Sequence, residues 1–258
     1  MHHLEGLQSR IVLRQRVDAT SYDDAAARVA AWARAGESRY VCVSNVHMVM
    51  EGYDDPAYQR VVNAADLVTP DGVPLVWALR LMGVRDASRV YGPDLTPAVC
   101  GRAAQDGIPV GFYGGSPEAL GGAVARLTER FPALRVVYRH SPPFRAATAG
   151  EDEETVAAIN ASGARILFVG LGCPKQERWM AEHRGRVGAV MLGVGAAFDF
   201  LAGTKRQAPR FLMKIGMEWA FRLATEPRRL GRRYLYHNPR YAACLLRQLA
   251  SRSPAAAR

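Results

Sequence analysis

Asp71 follows the short run Leu67-Val68-Thr69-Pro70 and stands immediately before Gly72. A carboxylate on a glycine turn at the end of a strand is aimed off the strand edge, where it can accept a proton from an attacking hydroxyl. The same residue can instead cap the helix that follows. Asn45, preceded by Ser44, closes a second apolar run, Tyr40-Val41-Cys42-Val43. Its amide suits a sugar hydroxyl or a base edge, and equally an Asx-turn. His47 reads as a base or as a hydrogen-bonded structural histidine. Asp94, just after Gly92-Pro93, reads first as a helix cap and then as a polar contact to substrate.

The densest motif is VGLGCPKQE at 169–177, a strand running into Gly170 and Gly172 and re-entering a helix behind Pro174. Backbone N–H groups exposed at such a helix start suit an anion, with Lys175 and Gln176 as directional donors. The competing reading is a tight turn with Gln176 on the surface. The spacing is neither GxGxxG nor GxxxxGK[ST]. A second glycine-rich return, GVGAAFD at 193–199, offers Gly193 and Gly195 for close backbone approach. Its Asp199 suits a ribose hydroxyl or a basic partner. No DxD, HxH or HExxH pattern is present, so neither a metal ion nor any cofactor is expected.

These residues need elements to hold them. Residues 22–35, 56–65, 73–81, 95–104, 151–161 and 174–182 read as helices, and a further helix opens at Ser116-Pro117. Short apolar runs at 40–43, 67–69, 110–113, 134–138, 166–169 and 187–192 read as strands. Such alternation predicts an α/β fold, a mostly parallel Rossmann-like sheet sandwiched by helices. In that architecture the ligand crevice lies beyond the carboxyl ends of the strands. The rule collects residues 44–45, 71–72, 114–115, 170–176 and 193–199 around one crevice. An α/β catalytic domain is expected over 8–202, a basic helical appendage over 203–250 and a disordered tail over 251–258. Within the appendage, 211–223 reads as one helix with Lys214, Glu218 and Arg222 forming a charged stripe, and 241–249 as a final short helix.

The net charge of +10 is localised. Residues 201–258 carry 13 Lys+Arg against 2 Asp+Glu, and residues 1–200 carry 21 against 22. A basic field confined to the last quarter points to a polyanion. Arg206, Arg228, Arg229, Arg232 and Arg233 can neutralise a diphosphate, hold anionic lipid headgroups, or meet nucleic acid phosphate. A plain packed helix with solvated arginines is the fourth reading. The aromatics Trp219, Phe221, Tyr234, Tyr236 and Tyr241 suit a helix lying in a membrane interface. The apolar helix at 211–223 is also a candidate homo-oligomer contact. No run approaches eighteen apolar residues, and the start of the chain lacks a secretory pattern. The four cysteines are far apart and read as reduced thiols of a cytoplasmic protein.

The segments ADLVTPDG (65–72), RVYGPDL (89–95), VGLGCPKQE (169–177) and GVGAAFD (193–199) occur in one order. AG (202–203), RQAP (206–209), EWAFRL (218–223) and PRR (227–229) follow them. Over residues 41–236 the chain resembles the WecG/TagA/CpsF glycosyltransferase family. The resemblance implies inverting, metal-independent transfer with no covalent enzyme intermediate. The donor would be a UDP-sugar carrying N-acetylmannosamine, its uronic acid or another hexose. The acceptor would be a polyprenyl diphosphate-linked sugar, in teichoic acid, common-antigen, capsule or exopolysaccharide assembly. It implies Asp71 as the catalytic carboxylate and Asn45, Arg89 and Gln176 as polar pocket positions. A basic C-terminal appendage would reach the membrane and complete the site, giving a cytoplasmic protein peripheral on the inner face. Two departures bear on sugar identity: Val43 stands where many members have Thr, and Pro142-Pro143-Phe144 where many have Gly-Tyr-Phe. The alternatives are a nucleotide-binding α/β protein without transferase activity and a nucleic-acid binder. No recognised nucleic-acid module accompanies the basic residues, so nucleic acid is not expected as a partner.

Overall fold

The computed structural model describes residues 6–251. Six parallel strands form one sheet in the order β4-β3-β8-β7-β5-β6. They are β3 (Arg39–Ser44), β4 (Leu67–Pro70), β5 (Val110–Gly114), β6 (Val136–His140), β7 (Ile166–Gly170) and β8 (Val190–Gly193). The four interior strands are apolar on both faces because helices cover both, as parallel crossovers require. Val41, Val43, Phe112, Phe168 and Leu192 face α1 (Tyr22–Arg34), α5 (Gly92–Gln105), α6 (Pro117–Arg130) and α9 (Ala197–Ala202). Tyr40, Cys42, Tyr113, Leu167 and Met191 face α2 (Val46–Asp54), α3 (Pro56–Asn63), α7 (Ala149–Ala161) and α8 (Lys175–Glu182). The α/β expectation therefore holds, with all six strand regions in the sheet and their ends shifted by up to three residues.

The winding reverses after β4. The chain lays β4 outside β3, passes through α4 (Val73–Leu81) and α5, and returns to start β5 on the other side of the sheet. The carboxyl ends of β3 and β4 therefore open beside the switch point, where doubly wound sheets bind ligands. A hairpin of β1 (Ser9–Val12) and β2 (Gln15–Asp18), turning through Leu13 and Arg14 with positive φ, covers the β4 edge. There the Val68 N–H donates to the Asp18 carboxylate at 2.7 Å. Pairing an edge amide in this way removes it from reach of another strand.

The C-terminal region differs from the expected pattern. The single helix predicted over 211–223 is two, α10 (Arg210–Lys214) and α11 (Glu218–Thr225). Gly216, at φ +76°, ends the first, and a Cβ there would meet Trp77 and Val73 at 3.2 Å. A glycine in the left-handed region stops a helix at low steric cost. The predicted charged stripe is broken with it: Glu218 turns toward Arg89, and the Lys214 side chain lies outside the described residues. The short helix predicted at 241–249 is the end of a 25-residue helix, α12 (Pro227–Ser251), which carries Pro239 inside it. Its far half is anchored on the body. Tyr241 and Leu245 are buried with Val12, Val17, Leu75 and Leu79. Gln248 donates to the Ile11 carbonyl at 2.6 Å and accepts from the Leu13 N–H at 2.9 Å. Of the tail predicted at 251–258, residues 252–258 lie outside the described residues.

Candidate active site

A cavity of about 110 Å³ opens at the ends of β3 and β4. Its floor is Asn45 and His47 from the start of α2 and Asp71 and Gly72 from the turn into α4; Arg89 and Tyr91 form one side. The other side comes from the C-terminal region: Gly216, Glu218, Trp219 and Arg222, then Arg233, Tyr234, His237 and Asn238 of α12.

The β4–α4 turn is pinned to β3 by Asp71, whose N–H donates to the Ser44 carbonyl at 2.7 Å. Arg89 locks it from the other side. Its Nε donates to the Asp71 carbonyl, and its Nη2 donates to Asp71 Oδ1 at 3.1 Å and to Glu218 Oε2 at 2.6 Å. The guanidinium also lies over the Tyr91 ring, 4.2 Å from its centroid. All three charged side chains are at least four-fifths buried. Burial pushes the Asp71 carboxyl up to about 6; Arg89 opposes that rise and Glu218 adds to it. A carboxylate raised toward neutral pH is a stronger base than an ordinary aspartate and still largely ionised at pH 7.

Asn45 does two things. Its Oδ1 caps α2 by accepting from the His47 and Met48 N–H groups at 3.1 and 3.3 Å, as in the Asx reading. Its Nδ2 has no partner among the described residues and stands at the cavity wall. Ser44 stays behind that wall, fully buried, with its hydroxyl accepting from Gln15 at 2.6 Å. The His47 imidazole is held neutral, pushed down to about 3 by burial and by the nearby Arg233 and His237. Among the described residues, His47, Glu51 and His237 offer metal-ligand atoms within 4.8 Å of one another. The Arg233 charge beside them opposes a cation there.

The glycine turns lie along the same sheet edge, at the ends of β5, β7 and β8, outside the cavity lining. Gly170 and Gly193 are closely packed, whereas Gly172 and Gly195 have room for a Cβ but hold positive φ, at +80° and +57°. A Cβ on Gly170 would sit 2.7 Å from the Phe198 ring, and one on Gly193 would sit 2.7 Å from Met180. Gln176 is buried and faces inward. Its Oε1 accepts from the N–H groups of Gly172 and Gly195 at 3.2 and 3.1 Å, and its Nε2 donates to Glu177 at 2.7 Å. It thus ties the two turns together, with Glu177 held in turn by the Tyr58 hydroxyl at 3.0 Å. Lys175 is exposed, Asp199 pairs with Lys205 at 3.0 Å, and Asp94 pairs with Arg210 at 2.9 Å. Of the arginines singled out in the sequence, Arg233 lines the cavity. Arg206, Arg228 and Arg232 are exposed, and the Arg229 side chain lies outside the described residues.

Two charged residues of the cavity lie outside the sequence-based candidates. With Lys214, Glu218 and Arg222 read in the sequence as an internal helix stripe, and i,i+4 spacing of opposite charges carries no other signal. Arg222 is enclosed, its guanidinium 5.4 Å from the Phe200 ring centroid and its Nε without a hydrogen-bond partner.

The sequence model of the glycosyl transferase WecG/TagA/CpsF family matches residues 10–255. The chain belongs to this glycosyltransferase family. It is 29% identical over 217 residues to the N-acetylglucosaminyldiphosphoundecaprenol N-acetyl-beta-D-mannosaminyltransferase of Bacillus spizizenii, covering 83% of this chain and 82% of that one. The cavity is accordingly the candidate transfer site of this WecG/TagA/CpsF glycosyltransferase. No helix among its described residues is long and apolar enough to cross a membrane.

Proposed function

We propose that this glycosyltransferase moves a sugar from a UDP-sugar onto a polyprenyl diphosphate-linked sugar, with inversion and without a metal ion. The observation that carries the reading is Asp71: a largely buried carboxylate, raised to about 6, on the wall of a cavity at the switch point of the sheet. The acceptor hydroxyl lies between Asp71 and the anomeric carbon of the donor. Asp71 takes its proton as the hydroxyl attacks from the face opposite the diphosphate. Arg222 and Arg233 stabilise the charge that develops on the leaving group, a role a metal ion would otherwise fill. Asn45 Nδ2 holds a hydroxyl of one of the sugars. Gly170, Gly172, Gly193 and Gly195 present backbone beside the nucleotide, and Gln176 shapes their two turns. The activity for which the Bacillus spizizenii relative is named favours an N-acetylmannosamine-like donor and an N-acetylglucosamine-bearing lipid acceptor.

Residues 8–202 are proposed to carry the chemistry and residues 203–250 to complete the site and meet an anionic membrane from its cytoplasmic side. Supporting this, Trp77 and Leu81 are exposed one turn apart on α4, and Phe211 and Ile215 are exposed one turn apart on and just after α10. Trp77 packs beside Gly216, which joins the two pairs into one apolar ridge next to the cavity mouth.

The test is Asp71→Asn. With UDP-sugar and a short-chain polyprenyl diphosphate N-acetylhexosamine, turnover is expected to fall by roughly 10²–10⁴ while donor binding persists. Near-normal turnover on an acceptor that the parent protein uses would remove Asp71 from the role of base.

A further inference from the structure

Arg89 is a single cation shared by two carboxylates from opposite sides of the cavity. Its Nε is fixed on the Asp71 backbone carbonyl, so the guanidinium cannot swing away from that turn. Its Nη2 then divides its protons between Glu218, at 2.6 Å, and the Asp71 side chain, at 3.1 Å. The shorter bond goes to Glu218. Glu218 is the first residue of α11, and the Asp71 turn belongs to the sheet. The state of the Asp71 carboxylate therefore depends on a group supplied by the C-terminal region.

Without Glu218, the Nη2 protons would have one anionic acceptor left within reach, and Arg89 would close on Asp71 as an ordinary charge-assisted pair. A carboxylate so paired is a weaker base. The other charged and titratable groups around Asp71 do not replace Glu218. Arg222 on α11 is a cation that favours the ionised, less basic form, and Arg233 on α12 adds a second positive charge to the cavity wall. His47 on α2 and His237 on α12 both have proton affinities lowered by burial. Tyr22 on α1 and Tyr91 beside Arg89 are raised by burial and stay neutral. Tyr234 completes the α12 side of the wall.

We infer that Glu218 is a positioning residue for the transfer step: by holding Nη2 of Arg89 it keeps that guanidinium from closing on Asp71. The proton acceptor is then competent only while α11 is docked against the sheet. The inference rests on the reading of Asp71 as the base, and it makes docking of the C-terminal region a condition for catalysis beyond any part in binding substrate.

The experiment uses the full chain with Glu218→Gln, Glu218→Asp and Asp71→Asn. The Asp71 carboxyl is followed by carbon-13 NMR against pH without substrate, with Asp71→Asn assigning the signal. The midpoint near 6 is expected to fall by about one unit or more in Glu218→Gln and to return most of the way in Glu218→Asp. In parallel, kcat and KM are measured against pH with UDP-N-acetylmannosamine and a short-chain polyprenyl diphosphate N-acetylglucosamine. The acidic limb is expected to move with the NMR midpoint, and kcat to fall about tenfold with KM for donor little changed. An unshifted midpoint in folded Glu218→Gln overturns the inference, whatever the turnover. Should Glu218→Gln not fold, an Asp71 midpoint in Glu218→Asp below the parent's supports it, and one at or above the parent's overturns it. An active Asp71→Asn overturns the assignment of the base instead, so the two failures are distinct.

Discussion

The Asp71 N–H and the Ser44 carbonyl meet at 2.7 Å across the ends of adjacent strands. That bond holds the carboxylate at the mouth of the sheet, and burial there makes its ionised form costly. Asp71 is raised from 3.8 to about 6, so the folded state binds its proton more tightly than the unfolded state. Stability from this group is fully present below pH 3.8 and is lost as pH rises through 6. Asp71→Asn should therefore stabilise the protein at pH 8 by about 3 kcal/mol, the equivalent of two pH units, and hardly at pH 3. Urea denaturation at both pH values measures this, and an equal gain at both would mean that ionisation is not the cause.

Gln176→Ala should be costly. It leaves the half-buried N–H groups of Gly172 and Gly195 without their acceptor and buried Glu177 with one fewer donor. With one buried bond lost and two half-buried N–H groups left to water, a total loss of about 1–3 kcal/mol is expected. Denaturant titration gives the value. A change below 1 kcal/mol would show that water replaces the amide without penalty.

Gly170→Ala places a methyl group 2.7 Å from the Phe198 ring. Overpacking of this kind costs about 1–3 kcal/mol. Phe198→Leu, itself destabilising, should recover part of that loss when the two are combined. Strict additivity in the double-mutant cycle would rule out the ring as the source of strain.

The apolar ridge and the exposed arginines should separate by salt dependence. Trp77→Ser with Ile215→Ser is expected to reduce sedimentation with phosphatidylglycerol vesicles several-fold at both low and high salt. Charge reversal at Arg228 and Arg232 should do so mainly at low salt, because exposed charges are screened. Undiminished sedimentation of the ridge variant at high salt would count against the ridge as the contact.

Strand periodicity exposed the sheet because each interior strand is a short apolar run between helices, and the turn residues at 44–45 and 71–72 fell where the strand ends put them. What escaped was non-local. The β1–β2 hairpin turns through Leu13 and Arg14, neither of them a residue that advertises a positive φ. Lys214, Glu218 and Arg222 look like one stripe because neither the break at Gly216, which leaves Lys214 on another helix and packs on Trp77 and Val73, nor the reach of Glu218 to Arg89 is a local signal. Gln176 reads either as a donor to a ligand or as a surface residue of a tight turn. Its orientation depends on Gly195, 19 residues later, presenting an N–H to it.

The anchoring of Gln248 on Ile11 and Leu13 has a consequence for the order of events in the cell. The wall of the cavity that carries Arg233 and His237 belongs to a helix whose far end docks on the β1–β2 hairpin. A polypeptide emerging from the ribosome has its sheet and its Asp71 turn complete long before that helix is available. Nascent chains should thus stay inert toward sugar donors until α12 has emerged and docked on that hairpin.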